Sequence, residues 1–406
     1  MNTPSRASSP PLLPGIGLPL VLPGLAMIAV CYGLARFSYG LFLPEFRDDF
    51  DLTPGLLGLI GAGSYVGYCL AIAASGYVCP RLGPRAVVAL AGLICTAGMC
   101  LVAAAPDGTV LAAAILVAGV SAGFASPPMG DAVERRIQQH RQGAANTWIN
   151  SGTSIGVLVS GPTALLVGDS WRAAWFSFAA VSLAVTLWCI PVLPGRDTGP
   201  TSPTPPRPTG PRRTAEWVNR TTAPLLLSTT AMGLVSAVYW TFSRDLVVSQ
   251  GHMTTPVSMI FWMVIGIAGL AGGLAGRLVS AWGLPTALRC CLLGFGGAIA
   301  LLPVTPDSTA LAFLSAAAFG AFYILLTGIY LVWSIRVFHR RPSAGIALSF
   351  AMISVGQAAG SPLAGNVAGT FSTTTAFIAS GTLCCLVSLI GPRPINAAPT
   401  SERITS

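Results

Sequence analysis

The chain contains no lysine, and only 9% of its 406 residues are charged. A soluble domain carries about 25% charged residues, so a soluble fold of this length is excluded. The formal charge of +9 therefore rests on arginine alone. A nucleic-acid binder gathers such charge on one basic face of a soluble domain. No such domain is present, which rules out nucleic acid as a partner. Histidine is scarce, with three copies far apart, and the ten cysteines show no C-x-x-C spacing. The cysteines scatter through apolar runs (Cys69, Cys79, Cys95, Cys100, Cys189) or sit as neighbours, Cys290–Cys291 and Cys384–Cys385. Thiols so placed are small apolar filler, and no metal site is expected. No nucleophile–base arrangement, phosphate-binding loop or redox motif is found, so neither an enzyme nor a cofactor is expected.

Apolar sequence is what remains: 53% hydrophobic residues and a mean hydropathy of +0.71. A membrane span takes about 20 mostly apolar residues. That ruler places spans at 18–43, 55–79, 86–105, 110–133, 144–167, 173–193, 223–243, 257–280, 286–304, 309–337, 344–367 and 375–391. The first run is too long for a signal-peptide core and is read as a retained span. Between the sixth and seventh spans, "PGRDTGPTSPTPPRPTGPRRTAEWVNRTT" is a flexible proline-rich linker without a core of its own.

Arginine is unevenly distributed between the two sets of loops. Arg81, Arg85, Arg135, Arg136, Arg141, Arg207, Arg212, Arg213, Arg340 and Arg341 fall on the side of the chain ends. Arg47, Arg172 and Arg244 fall on the other, among Asp48, Asp49, Asp51, Asp107 and Asp307. The positive-inside rule then puts both termini and the linker in the cytoplasm. The halves also repeat. A shift of 200 residues sets Tyr39 on Tyr239, Glu45 on Asp245, Gly76 on Gly276, Gly83 on Gly283, Gly156 on Gly356 and Pro162 on Pro362. The expected fold is an all-α membrane protein with twelve transmembrane helices in two pseudo-symmetric six-helix bundles. Its parts are a tail (1–17), a bundle (18–193), a disordered linker (194–222), a second bundle (223–391) and a tail (392–406). Repeats of this kind are built to rock around a site at the midplane.

Over nearly its whole length the chain resembles the major facilitator superfamily. That family's loop between the second and third spans carries G-x-L-x-D-R/K-x-G-R/K-R/K. In "GYVCPRLGPR", Gly76, Arg81, Gly83 and Arg85 match, Val78 stands for the leucine and Pro80 replaces the aspartate. The missing acid normally helps latch the halves together. In the fifth span Gly152, Gly161 and Pro162 fit the glycine–proline pattern of the family's drug–proton antiporters, with Leu165 and Leu166 replacing its last glycines. "GLARFSYGLFLPEF" and the residues after it resemble the bacterial YbfB/YjiJ-type subgroup. The resemblance implies a secondary active transporter of the bacterial cytoplasmic membrane, working by alternating access as a monomer among lipids. The glycine–proline pattern points to export of a drug or metabolite with proton coupling. The alternative is uptake of an organic carboxylate, and a non-transporting membrane sensor is the reading of another class.

The oddest stretch is "YGLARFSYGLFLPEF", an apolar run holding Arg36. An arginine at the centre of a membrane helix costs about 2.5–3.5 kcal/mol on insertion scales. On an α-helix Tyr32, Gly33, Arg36, Tyr39 and Gly40 share one face. The guanidinium fork suits a carboxylate or phosphate, and no acid occupies the middle of any span, so Arg36 is read as the site for an anionic substrate group. The structural alternative is that it caps carbonyls or pairs with an acid. Further candidate contacts are Asn150, Ser236, Tyr239, Trp240, Tyr323, Thr327 and Gln357. Gly76, Arg81, Gly83, Arg85, Gly152, Gly161 and Pro162 are the candidates for conformational roles. Glu45, Asp131 and Asp245 are the acids near enough to carry protons. The strings "GAGSYVG" and "GLAGGLAG" follow no strand and are read as close-packing spacings.

Overall fold

The computed structural model describes residues 17–392 except 169, 196–218, 305, 340 and 341. Most of the expected linker and tails, with Arg207, Arg212, Arg213, Arg340 and Arg341, lie outside the described residues. All regular structure among the described residues is helical. In the first half, α1 is Leu18–Leu41, α2 Pro54–Leu82, α3 Pro84–Ala103, α4 Gly108–Arg136 and α6 Trp171–Val192. Helix α5 comes in two pieces, Gln139–Asn150 and Gly152–Val167, joined at Ser151. In the second half, α7 is Ala223–Ser249, α8 Thr255–Trp282, α9 Leu284–Leu301 and α10 Thr309–Val337. Helix α11 is Pro342–Thr370 and α12 Thr373–Val387. Ten of the twelve are long and apolar enough to cross a membrane; α5 is broken and α12 is shorter.

Successive spans run in opposite directions, so the described chain ends and the junction between the halves share one face, the chain-end face. The opposite, loop face carries residues 42–53, 104–107 and 250–254. Side-chain caps start the helices that leave the loop face, except α8, whose Thr254 makes no cap hydrogen bond. Asp107 accepts from the amides of Thr109 and Val110, while Thr53, Ser170, Ser308 and Ser372 each accept from an amide three residues on. These oxygens satisfy donors that a helix start leaves open. On the chain-end face the turns α2–α3 and α8–α9 are made by Gly83 (φ +79°) and Gly283 (φ +77°). The 200-residue repeat is thus visible in the backbone, where glycine meets a left-handed φ at little cost.

The repeat recurs in helix packing. A Cβ on Gly33 or Gly156 would strike the backbone of the other, where α1 crosses α5. Gly233 and Gly356 make the equivalent crossing of α7 with α11, against Ile353 and Thr230. The two halves meet through α2 with α11 and α5 with α8. On the loop-face side Gly58 abuts the Ser361 carbonyl, Gly365 abuts that of Pro54, and Gly161 lies against Met263. Nearer the chain-end face, Gly76 of α2, Gly143 of α5, and Gly273 and Gly276 of α8 have nothing within 4 Å of a Cβ position. Among the described residues, the close glycine contacts between the halves thus gather on the loop-face side.

Candidate functional site

Helix α1 is not α-helical throughout. From Ala29 to Phe37 it is a π-helix, whose wider i→i+5 turn is rare and concentrates at functional sites. The Ser38 hydroxyl donates to the Gly33 carbonyl five residues back, at 3.1 Å, closing the widened segment. This changes the stripe expected from α-helical spacing. Tyr32 and Arg36 stay close, but Tyr39 falls beyond the π-segment and leaves their group. Its hydroxyl donates to the Leu57 carbonyl at 2.8 Å and its ring stacks on Phe46 toward the loop face.

Arg36 is 5% exposed. Its Nη2 donates to Ser354 Oγ and Gln357 Oε1, both at 2.8 Å and both on α11 of the other half. No carboxylate pairs with it among the described residues. Four rings surround the guanidinium instead, with centroids 4.4 Å (Tyr68), 5.2 Å (Tyr65), 5.3 Å (Phe37) and 5.6 Å (Tyr32) from Cζ. Ring faces attract a cation, by about 2 kcal/mol or more where the pair is desolvated. They let a positive charge persist at the centre without an acid. Arg36 Nε is buried and has no hydrogen-bond partner among the described residues.

The neighbours form a connected polar and aromatic layer. Gln357 Nε2 donates to Tyr323 Oη at 3.2 Å and Ser236 Oγ at 3.4 Å. Tyr32 Oη and Ser126 Oγ are 2.6 Å apart, and Tyr32 donates to Tyr68 Oη at 3.5 Å. Trp240 stacks on Phe37 at 4.2 Å and stands edge-on to Tyr323 at 5.2 Å. A small cavity beside Trp240 is lined by Thr153, Ser154 and Val157 of α5, Ile265 and Gly266 of α8, and Gly320 and Ile324 of α10.

Of the candidate contacts, the fold gathers Arg36, Tyr32, Ser236, Trp240, Tyr323 and Gln357. Tyr239 is held within the second half, bonded to Ser315 Oγ at 2.9 Å and stacked on Phe319 at 3.8 Å. Thr327 turns its hydroxyl to the Ile324 carbonyl of its own helix. Asn150 is exposed at the break in α5. The sequence reading missed Phe37, Tyr65, Tyr68, Ser126 and Ser354. Tyr65 lies in the "GAGSYVG" string read for its glycines and Tyr68 just after it, and their i, i+3 spacing is the signal that marked one face.

A second cluster closes the loop face. Arg244 of α7, 1% exposed, donates from Nη1 to Glu45 Oε2 at 2.6 Å and to the Leu41 carbonyl, and from Nε to Ser258 Oγ at 3.0 Å. Arg47, in the short helix Leu43–Phe50, pairs with Asp245. Both ion pairs join the first half to the second. Glu45 and Asp245 thus sit in a closure, away from Arg36. Asp131 pairs with Arg135 one turn along α4, at 3.0 Å.

Residues 25–344 match the family model of the Major Facilitator Superfamily. The chain belongs to that superfamily. It is a multi-pass membrane transporter rather than an enzyme. Among curated proteins none matches the chain. Among solved structures, the fold is similar to a point mutant of the nucleoside transporter NupG, with a TM-score of 0.74 and 13% identity. That match covers 92% of this chain and 98% of the other.

The turn between α2 and α3 carries Pro80 and two arginines. With Pro80 in place of the acid, Arg81 folds back on its own helix. It donates to the Tyr77 carbonyl at 2.9 Å, with Cζ 3.3 Å from that ring's centroid. Arg85 donates to the Leu193 carbonyl at 2.9 Å, tying α3 to the end of α6. In the fifth-span pattern, Gly152 lies against the Leu25 carbonyl of α1, Gly161 lies against Met263 of α8, and Pro162 is inside the helix.

Proposed function

We propose that the protein moves an organic anion across the membrane by alternating access, with Arg36 binding the charged group. One observation carries this reading: a buried guanidinium between the two halves that no carboxylate neutralises among the described residues, with one donor unpartnered. Insertion of such a residue costs about 2.5–3.5 kcal/mol, and intramembrane charges mark substrate pathways. The arginine bias (Arg81, Arg85, Arg135, Arg136 and Arg141 against Arg47 and Arg172) makes the chain-end face cytoplasmic. The conformation described is then open to the cytoplasm and closed outside by the Arg244–Glu45 and Arg47–Asp245 pairs. An arriving anion takes the donors now held by Ser354 and Gln357, freeing the two halves to move. Protons, where they couple, act on the Glu45 and Asp245 carboxylates of the closure. The YbfB/YjiJ-type subgroup and the bacterial cytoplasmic membrane fit this reading.

Export of a drug or metabolite draws on Gly152, Gly161 and Pro162, whose glycines are occupied in close helix packing. The test is counterflow in proteoliposomes holding labelled small organic acids, with uridine as a neutral control. Exchange of acids that vanishes in Arg36→Gln supports the anion reading. Acids that do not exchange, or uridine flux that Arg36→Gln leaves unchanged, overturn it.

A further inference from the structure

Among the described residues, buried side-chain atoms without a hydrogen-bond partner occur on Arg36, Trp175, Trp240, Ser243 and Trp262; two of them, Arg36 Nε and Trp240 Nε1, lie at this site, on side chains 5% and 4% exposed. Buried donors are nearly always paired, so each calls for an explanation. The two side chains are connected through one ring. Phe37 lies 5.3 Å from the guanidinium carbon and stacks on Trp240 at 4.2 Å. Tyr323 stands edge-on to both rings. The polar groups along this wall are already engaged with one another, Tyr32 with Ser126 and Tyr323 with Gln357. Trp240 also borders the small cavity, which Val157, Ile265 and Ile324 line with it.

Resting on the reading of Arg36 as the anion-binding group, we propose that the substrate is a singly charged aromatic acid that also bears a hydrogen-bond acceptor. The acid group meets Arg36, the flat body lies against the Phe37–Trp240–Tyr323 wall, and the acceptor takes the indole N–H of Trp240. One cation balances one negative charge; a dianion would leave its second charge unpaired in a low-dielectric interior, which is costly. Rings favour offset-stacked or edge-on neighbours, a geometry a flat body supplies. A sugar or other polyhydroxyl solute would need many free donors and acceptors, whereas Tyr32, Ser126, Tyr323, Gln357 and Ser236 are bonded among themselves.

The experiment uses the full-length protein in nanodiscs and equilibrium binding of labelled benzoate. Acetate, succinate and benzamide serve as competitors, and 4-acetylbenzoate is compared with 4-ethylbenzoate. Benzoate should outcompete acetate, succinate and benzamide, and Arg36→Gln should lose it. Arg36→Lys, which keeps the charge, should weaken benzoate yet still prefer it to benzamide. The acetyl compound should bind roughly three- to tenfold more tightly than the ethyl one, the range of one net hydrogen bond, and Trp240→Phe should erase that difference. Acetate or succinate competing as well as benzoate overturns the aromatic monoanion while leaving Arg36 as an anion site. Acetyl and ethyl compounds that bind alike in the unaltered protein overturn the Trp240 acceptor contact. Benzamide binding as well as benzoate, unchanged in Arg36→Gln, overturns both readings. Benzoate that fails to bind at millimolar concentration also overturns the proposed class.

Discussion

Arg244 and Glu45, 199 residues apart in sequence, meet at 2.6 Å across the loop face, where the guanidinium is 1% exposed. The carboxylate is the counter-charge of an otherwise buried cation, and it comes from the opposite half of the molecule. An ion pair so placed holds the two halves together only while both partners are charged and the face is shut.

Glu45→Gln strips the anion from Arg244 and should destabilise the loop-closed conformation by about 3–5 kcal/mol, the usual result of removing one partner from a buried pair. Ser361→Cys, at the α2–α11 contact, provides the reporter. Its labelling by an impermeant maleimide from the loop face should rise in Glu45→Gln. Labelling that stays flat would mean the pair is not a closure. Arg47→Gln should do less, because the Asp245 side chain it leaves behind is 12% exposed against 1% for Arg244.

Arg36→Lys keeps a charge but loses the planar fork, so it should lower transport roughly tenfold or more, the worth of one charged hydrogen bond. Arg36→Ala should abolish transport while the melting temperature in detergent stays level or rises, because a buried charge is removed. Gln357 keeps Tyr323 and Ser236 as partners in that variant. A marked drop in melting temperature with transport intact would make Arg36 a structural bridge.

Glycines at close crossings should tolerate no side chain. Gly33→Ala and Gly156→Ala put a Cβ within 2.9 Å of the facing backbone and should each cost roughly 1–3 kcal/mol by overpacking. Gly276→Ala meets nothing within 4 Å, and its effect should stay within about 0.5 kcal/mol. Thermal melts of the purified variants compare them directly.

Reporter fusions after Asp107 and within residues 196–218 should report opposite sides of the membrane, the second one cytoplasmic. Two cytoplasmic readings would contradict the alternation of the first six spans.

The span count, the repeat and Arg36 itself were legible in the sequence because each depends on local content. Twenty apolar residues make a span, a fixed offset reveals a duplication, and a charge in an apolar run stands out. Arg36's surroundings were only half legible. Gln357, Tyr323 and Trp240 were found as polar or aromatic residues in spans. Tyr239, by the same criterion, proved to pack inside its own half against Phe319. Helical spacing gave the face a residue takes on its helix and left open which neighbour that face meets.

Composition and periodicity alone specify a membrane protein of two related six-helix halves with one conspicuous intramembrane charge. The remaining features come from how the helices pack. The π-helical turn at Ala29–Phe37 separates Tyr39 from Arg36. Helix α2 supplies Tyr65 and Tyr68 to the guanidinium, and Glu45 and Asp245 are drawn into ion pairs with Arg244 and Arg47. These partners lie tens to hundreds of residues apart, and only the close crossing of helices at small residues brings their side chains within hydrogen-bond or ring-contact distance.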